Sequence, residues 1–296
     1  MEKIIVSGQS NLPLSKSIAI NTGSKLADVE IEYFANNEKR IRITSALAGK
    51  EAVLVQSTIA KPDEYIVELA LLADAARSAG ASKVTAVMPW FGYSPQDKIF
   101  RQGEALSSAV VIKMLEGVGI DEFHVFDLHS PLVQKMFTAD IINHSAMPLF
   151  SSYFQDEIHD KENWVAVSVD KGSSERAEEF AKAVNLPIVR FDKARDLQTG
   201  EVTFLKLEGD VKGKKVIAFD DYVSTGGTLF KSAEYMKKRG ALEYHFCVTH
   251  IVVESTLEKV AESSVDKLIT TNSIHIPETL LSKKIRILDL APLILI

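Results

Sequence analysis

A chain of 296 residues with 46% apolar side chains exceeds what one hydrophobic core usually organises, so two domains are expected. Its 34 basic and 40 acidic side chains give a formal net charge of -6, which argues against a surface that coats nucleic acid or anionic membrane and leaves any anion site local. The single cysteine, Cys247, excludes an intrachain disulfide, and no apolar run approaches the roughly 20 residues of a membrane span, so a soluble cytoplasmic protein is expected.

Strand and helix signals alternate along the chain. Residues 3–7, 29–34, 52–56, 84–89 and 123–127 read as strands, with helical patterns at 63–79 and 104–117 between the later ones. The first of these helices has Asp63 and Glu64 in its opening turn after Pro62, carries Ile66, Leu69, Ala70 and Ala73 at helical intervals, and stops at Gly80. A second series begins after residue 147, where 164–169, 173–184, 187–191, 216–219, 229–239 and 246–253 again alternate. The pattern implies α/β domains at 1–147 and 148–296, with mainly parallel sheets covered by helices. Cys247 falls in an apolar run, as a buried inert thiol would. The tail 288–296 is too apolar to be left in water and is expected to pack back on the body or on a neighbouring subunit.

The stretch 214–228 reads Lys-Lys-Val-Ile-Ala-Phe-Asp-Asp-Tyr-Val-Ser-Thr-Gly-Gly-Thr. Val216 to Phe219 suit a buried parallel strand, while Leu229, Phe230, Ala233 and Met236 repeat at helical spacing and Gly240 stands where a helix ends. The loop therefore opens a helix. Ser224, Thr225, Gly226, Gly227 and Thr228 are small enough for successive backbone N–H groups to close on an anion, and the helix N-terminus adds its partial positive charge. Asp220 and Asp221 cannot both point into a core, so at least one faces a crevice, where it can bond sugar hydroxyls or meet a metal. Together these residues point to a sugar phosphate. A lone Gly-Gly would read as a flexible connection, but the whole string resembles the phosphoribosyl-diphosphate loop of the type I phosphoribosyltransferase fold. That fold is shared by the phosphoribosyltransferases and by ribose-phosphate diphosphokinase, the phosphoribosyl-diphosphate synthetase.

The first half separates those two families. Residues 89–107, Pro-Trp-Phe-Gly-Tyr-Ser-Pro-Gln-Asp-Lys-Ile-Phe-Arg-Gln-Gly-Glu-Ala-Leu-Ser, resemble a segment of the synthetases that ordinary phosphoribosyltransferases lack. Asp127-Leu128-His129 and Tyr33-Phe34-Ala35-Asn36-Asn37-Glu38 are similar to two further synthetase motifs, with Asn36 where an acid is common. The motifs occur in the family's order and span most of the chain, which is thus identified as a member of the ribose-phosphate diphosphokinase family. The resemblance implies two tandem phosphoribosyltransferase-like domains, a homo-oligomer (dimer or hexamer left open) and Mg²⁺ as cofactor.

It also implies roles for single residues. Phe34, Asn36 and Glu38 would hold the adenine of ATP delivered from an adjacent subunit, and Gln96 and Asp97 would lie along the nucleotide. His129 and Asp170 would be the metal ligands; the other six histidines carry no such motif. Asp220 and Asp221 would bind the ribose hydroxyls of ribose 5-phosphate, and residues 224–228 its phosphate. Lys193 and Arg195 would be the catalytic cations of a loop, with 197–210 as its polar, closing continuation. On charge alone these two would read as a solvated loop, and Phe34 alone as an ordinary strand aromatic. Two departures stand out: Pro95 replaces the arginine usual before Gln-Asp, and Lys171 stands where many members have glycine. A non-catalytic paralogue that assembles with an active synthetase remains an alternative, as does a phosphoribosyltransferase.

Overall fold

The computed structural model describes residues 1–168, 174–195, 202–294 and 296, with the backbone alone at 191–195 and 202–206. Its contacts divide the chain into two units. The first comprises Met1–Ser145, Ser273–His275 and Asp289–Ile296, and the second Ala146–Asn272 and Ile276–Leu288.

In the first unit the elements are β1 (Lys3–Ser7), α1 (Leu12–Thr22), β2 (Lys25–Leu26), β3 (Val29–Tyr33), β4 (Lys39–Ile43), β5 (Glu51–Val55), α2 (Pro62–Ser78), β6 (Lys83–Met88), α3 (Ser107–Gly117), β7 (Glu122–Phe126), α4 (Pro131–Gln134) and β8 (Asp140–His144). Six strands form a parallel sheet in the order β2-β1-β5-β6-β7-β8, while β3 and β4 pair antiparallel as a separate hairpin. β5 is buried along its whole length, the continuous pattern of a parallel strand covered on both faces. α2 contributes Ile66, Leu69, Leu72, Ala73 and Ala76 to the core, each large aliphatic worth about 1.5–3 kcal/mol when fully buried. α1 has no strong periodicity. Its ends are set instead by the Asn11 side chain, which accepts the Leu14 N–H, by Pro13 and by Gly23 at φ 66°.

The second unit contains α5 (Met147–Glu157), β9 (Trp164–Ser168), α6 (Ser174–Val184), β10 (Ile188–Arg195), β11 (Val202–Glu208), β12 (Lys215–Val223), α7 (Gly227–Lys238), β13 (Glu243–Ile251), α8 (Ser255–Val260), β14 (Lys267–Thr271) and β15 (Ile285–Leu288). Its sheet runs β11-β10-β9-β12-β13-β14-β15, parallel except for β11. The two sheets share a winding. Each grows outward on both sides of its first strand, so a topological switch point falls between β1 and β5 and again between β9 and β12, where parallel α/β sheets open a crevice.

The first of these switch points is filled by returning chain. Asn11 Nδ2 and Ser57 Oγ both donate to the carbonyl of fully buried Ser273. The tail also belongs to this unit: Asn21 Nδ2 donates to Ala291 O at 3.1 Å, and Leu290 and Ile294 are fully buried.

Two segments differ from the sequence expectation. β12 does not stop at Phe219 but continues through both aspartates to Val223. Lys193 and Arg195 lie on a strand rather than in a loop, their Cα atoms opposite Phe204 and Val202 of β11, with a register shift between Asp192 and Lys193. Residues 202–208, expected as irregular, are that partner strand; their alternation becomes decisive only when β10 supplies the ladder. Residues 196–201 of the expected loop, like Asp170 and Lys171, lie outside the described residues. Cys247 is buried, and burial pushes its thiol well above the ordinary range.

Two histidines, half-buried His144 and buried His245, make the fold acid-sensitive. His124 Nδ1 and His144 Nε2 meet at 2.9 Å in stacked rings, and burial, then the His124 charge, lowers His144 from 6.5 to about 4. His245, walled by Phe154 and Trp164, is lowered by burial despite its Glu243 partner. Below pH 6.5 the unfolded chain binds protons that the folded chain refuses, so stability is complete above that pH and falls as pH drops towards 4. Thermal melts across this window should show a steady decline that His144→Asn flattens; an undiminished slope in the variant would place the sensitivity elsewhere.

Candidate active site

The apolar run of β12 ends at Phe219, but pairing with β13 carries the strand on to Val223, opposite Ile251. This holds two carboxylates at the C-terminal edge of the sheet. Asp221 is buried and Asp220 half-buried. Asp220 Oδ1 accepts the Asp221 N–H and Asp221 Oδ1 accepts the Tyr222 N–H, both at 3.0 Å, so each is braced by the next residue's backbone. Arg176, from the first turn of α6, places Nη2 4.0 Å from Asp221 Oδ2.

The loop that follows stands at the β9/β12 switch point. Ser224 and Thr225 are exposed, and the hydroxyl of fully buried Thr256 donates to the Ser224 carbonyl, pinning the loop to α8. Gly226 caps α7 at φ 81°, in the left-handed region, and an ideal Cβ there would stand 2.3 Å from Phe230 Cε2. Gly227, by contrast, is exposed, with no atom within 4 Å of where a Cβ would be. No side chain caps α7, so the N–H groups of its first turn have no side-chain acceptor at the cap, and two exposed small hydroxyl residues precede them. Such an arrangement suits a phosphate.

The predicted nucleotide residues and His129 lie on the first unit. Phe34, Asn36 and Glu38 occupy the β3–β4 turn, closed by Phe34 N–H to Glu38 O and Asn37 N–H to Phe34 O, both 2.9 Å, with Asn37 at φ 66°. Phe34 is 51% exposed, unusual for a large aromatic and fitting for one that stacks on a ligand. Gln96 and Asp97 follow β6. The Gln96 carbonyl accepts the Ser108 hydroxyl at 2.9 Å and its side chain accepts the Ser107 hydroxyl at 2.7 Å, which ties the segment to the start of α3. His129 follows β7, between Leu128, whose N–H donates to Asn143 Oδ1, and Ser130, whose hydroxyl caps α4. β6 and β7 are parallel neighbours, so their following loops leave the same edge of the sheet. Lys193 and Arg195 are placed by backbone alone on β10.

A model of the N-terminal domain of ribose phosphate pyrophosphokinase matches residues 3–119, and one of the phosphoribosyl transferase domain matches 138–283. The ribose-phosphate pyrophosphokinase of Caldanaerobacter subterraneus subsp. tengcongensis is 34% identical over 291 residues, 98% of this chain and 91% of that protein. The chain belongs to the ribose-phosphate pyrophosphokinase family. This is a family of transferases. The relative from Thermococcus kodakarensis is 37% identical over 263 residues, 88% of this chain and 91% of its own. The solved phosphoribosylpyrophosphate synthetase of Mycobacterium smegmatis superposes with a TM-score of 0.88 at 27% identity, covering 99% of this chain and 96% of that one.

Within this ribose-phosphate pyrophosphokinase framework, three supports of the site were missed by the sequence reading. Arg176 had a faint signal as a cation in the first turn of the helix after β9. Thr256 had none, being 32 residues from Ser224, which it holds. Glu104, whose Oε2 accepts the Phe100 and Arg101 N–H groups at 2.9 Å each, folds the loop beyond Asp97. Pro95 lies between two turn bonds, Ser94 N–H to Phe91 O and Gln96 N–H to Tyr93 O, where a fixed φ is readily accommodated.

Proposed function

We propose that the chain transfers the β,γ-diphosphoryl group of ATP to O1 of ribose 5-phosphate, giving 5-phosphoribosyl 1-diphosphate and AMP. The observation that carries this reading is the uncapped glycine loop at the β9/β12 switch point in a chain similar along its length to ribose-phosphate pyrophosphokinases. In it, residues 224–228 hold the 5-phosphate and Asp220 and Asp221 hold the ribose 2- and 3-hydroxyls. A substrate fixed at both ends presents O1 for in-line attack on the β-phosphorus, and positioning of this kind lowers a barrier by several kcal/mol. Phe34, Asn36 and Glu38 bind the adenine in a homo-oligomer, and Gln96 and Asp97 lie along the nucleotide. Lys193 and Arg195 stabilise the charge that builds on the bridging oxygen as AMP departs, and no covalent enzyme intermediate is needed.

Among the described residues no three His, Cys, Asp or Glu side chains converge as a metal cage. Mg²⁺ keeps several waters and binds through one or two protein ligands plus substrate phosphates, so exposed His129 fits that ion, and Asp170, the second ligand the resemblance implies, lies outside the described residues. Bound there, Mg²⁺ would supply neutralisation of phosphate charge.

Purified protein incubated with ATP, ribose 5-phosphate and Mg²⁺ and followed by phosphorus NMR is expected to form AMP and a sugar diphosphate one for one. Intact ATP alongside bound ribose 5-phosphate would overturn the reaction and favour a partner-dependent paralogue, with Pro95 as the first position to change. Consumption of the sugar diphosphate only when a nucleobase is added would indicate a phosphoribosyltransferase.

A further inference from the structure

The hairpin that carries Phe34, Asn36 and Glu38 is held on its outer face by weak bonds. Arg40 pairs with Glu32 and Arg42 with Glu30 across the strands, all four side chains more than half exposed, and exposed pairs contribute at most about 1 kcal/mol each. Its inner face is different. Glu68, on α2, is fully buried, and its carboxylate accepts from three elements: the Gln9 N–H after β1 at 2.7 Å, Gln56 Nε2 after β5 at 2.8 Å, and Lys39 Nζ on β4 at 2.5 Å. Lys39 immediately follows Glu38. Its side chain is only 8% exposed, and its ammonium also lies 5.7 Å from the Tyr33 ring centre and 5.6 Å from that of Tyr65. The Tyr33 hydroxyl in turn donates to Gln9 Oε1 at 2.7 Å. β4 is thus fastened to the carboxylate directly through Lys39 and β3 indirectly, through Tyr33 and Gln9, while the same carboxylate bonds the residues that follow β1 and β5.

We propose that Glu68 is a positioning residue for the nucleotide: through Lys39 and Gln9 it fixes the angle at which the β3–β4 turn is presented. The inference rests on reading that turn as the adenine-binding element. A buried charge without its partner is costly, so the clamp has one low-energy arrangement rather than a range. Burial pulls Lys39 towards its neutral form, but the hydrogen bond and charge of Glu68 outweigh this and leave it more basic than usual, so the ammonium stays charged at neutral pH.

The test compares the full chain with Glu68→Gln, Lys39→Met and the double variant, by steady-state kinetics and by amide hydrogen exchange over residues 29–43. Each single change should raise the KM for ATP about 10-fold or more, with kcat and the KM for ribose 5-phosphate within about threefold, and should speed exchange at 33–39 about 10-fold. The double variant removes the orphaned charge and should recover the unfolding temperature, yet keep the high KM for ATP and the fast exchange. Recovery of KM and exchange together with stability would reduce Glu68 to a structural residue and overturn the proposal, as would an unchanged KM for ATP in the singles. A wild-type chain that forms no sugar diphosphate would sink the proposed reaction instead; slow hairpin exchange retained in all three variants would then still sink the clamp.

Discussion

Substituting valine for Gly227 is expected to raise the KM for ribose 5-phosphate about 100-fold while moving the unfolding temperature by no more than a few degrees. The protein itself has no objection to the side chain: the position is exposed, its φ is not in the left-handed region, and a Cβ meets nothing within 4 Å. What the side chain obstructs is the approach of an anion to the N–H groups at the first turn of α7. Gly226→Ala provides the contrast. Its φ of 81° and the 2.3 Å approach to the Phe230 ring require strain or a shifted phenyl, so it should lower stability by about 1–3 kcal/mol. Calorimetry and steady-state kinetics on the two variants separate a fold requirement from a ligand requirement at adjacent glycines. A Gly227→Val protein with unchanged KM would take the phosphate off this loop.

Replacing Lys193 by alanine is expected to lower kcat by about 10²–10³-fold and to leave both KM values within a few-fold, because its charge matters most when negative charge moves onto the departing oxygen. The backbone register shifts between Asp192 and Lys193, and irregularities of this kind recur beside active sites. Lys193→Arg should retain part of the rate, while Lys193→Ala with Arg195→Ala should lose less than the product of the single effects, since the two act on one charge. Single-turnover measurement of AMP formation isolates the step. Unaltered turnover in Lys193→Ala would remove both residues from the chemistry.

Much of the fold is legible because parallel strands buried on both faces must be apolar throughout. β1 and the cores of β5, β6, β7, β9 and β12 announce themselves within a residue or two at their starts, and α2 and α7 show their helical stripes. Elements without such a pattern stay hidden. α1 is made by an asparagine cap, a proline and a glycine, and β8, β14 and β15 are short strands that matter only beside a neighbour. β11 is similar: Val202–Glu208 alternates well enough, but nothing local says that β10 lies opposite.

The candidate site divides the same way. Residues whose chemistry depends on their immediate neighbours were readable: the aspartates at the end of an apolar run, the small loop that opens a helix, and the aromatic turn all carry their own signal in sequence order. Those chosen by distant contacts were not. Glu68 drew no reading from the sequence, because the three donors that bond it come from positions 9, 39 and 56. Likewise Ser57, at the equivalent switch point of the first unit, bonds a carbonyl 216 residues away. By itself the sequence determined the class of fold, the family and the small-residue loop that opens α7, since spacing, hydropathy and glycine placement act over a few residues. Only the tertiary structure decided where strands end, which distant segment returns to the first switch point and which carboxylate is buried, since desolvation and hydrogen-bond satisfaction are settled by whatever chain arrives from far away.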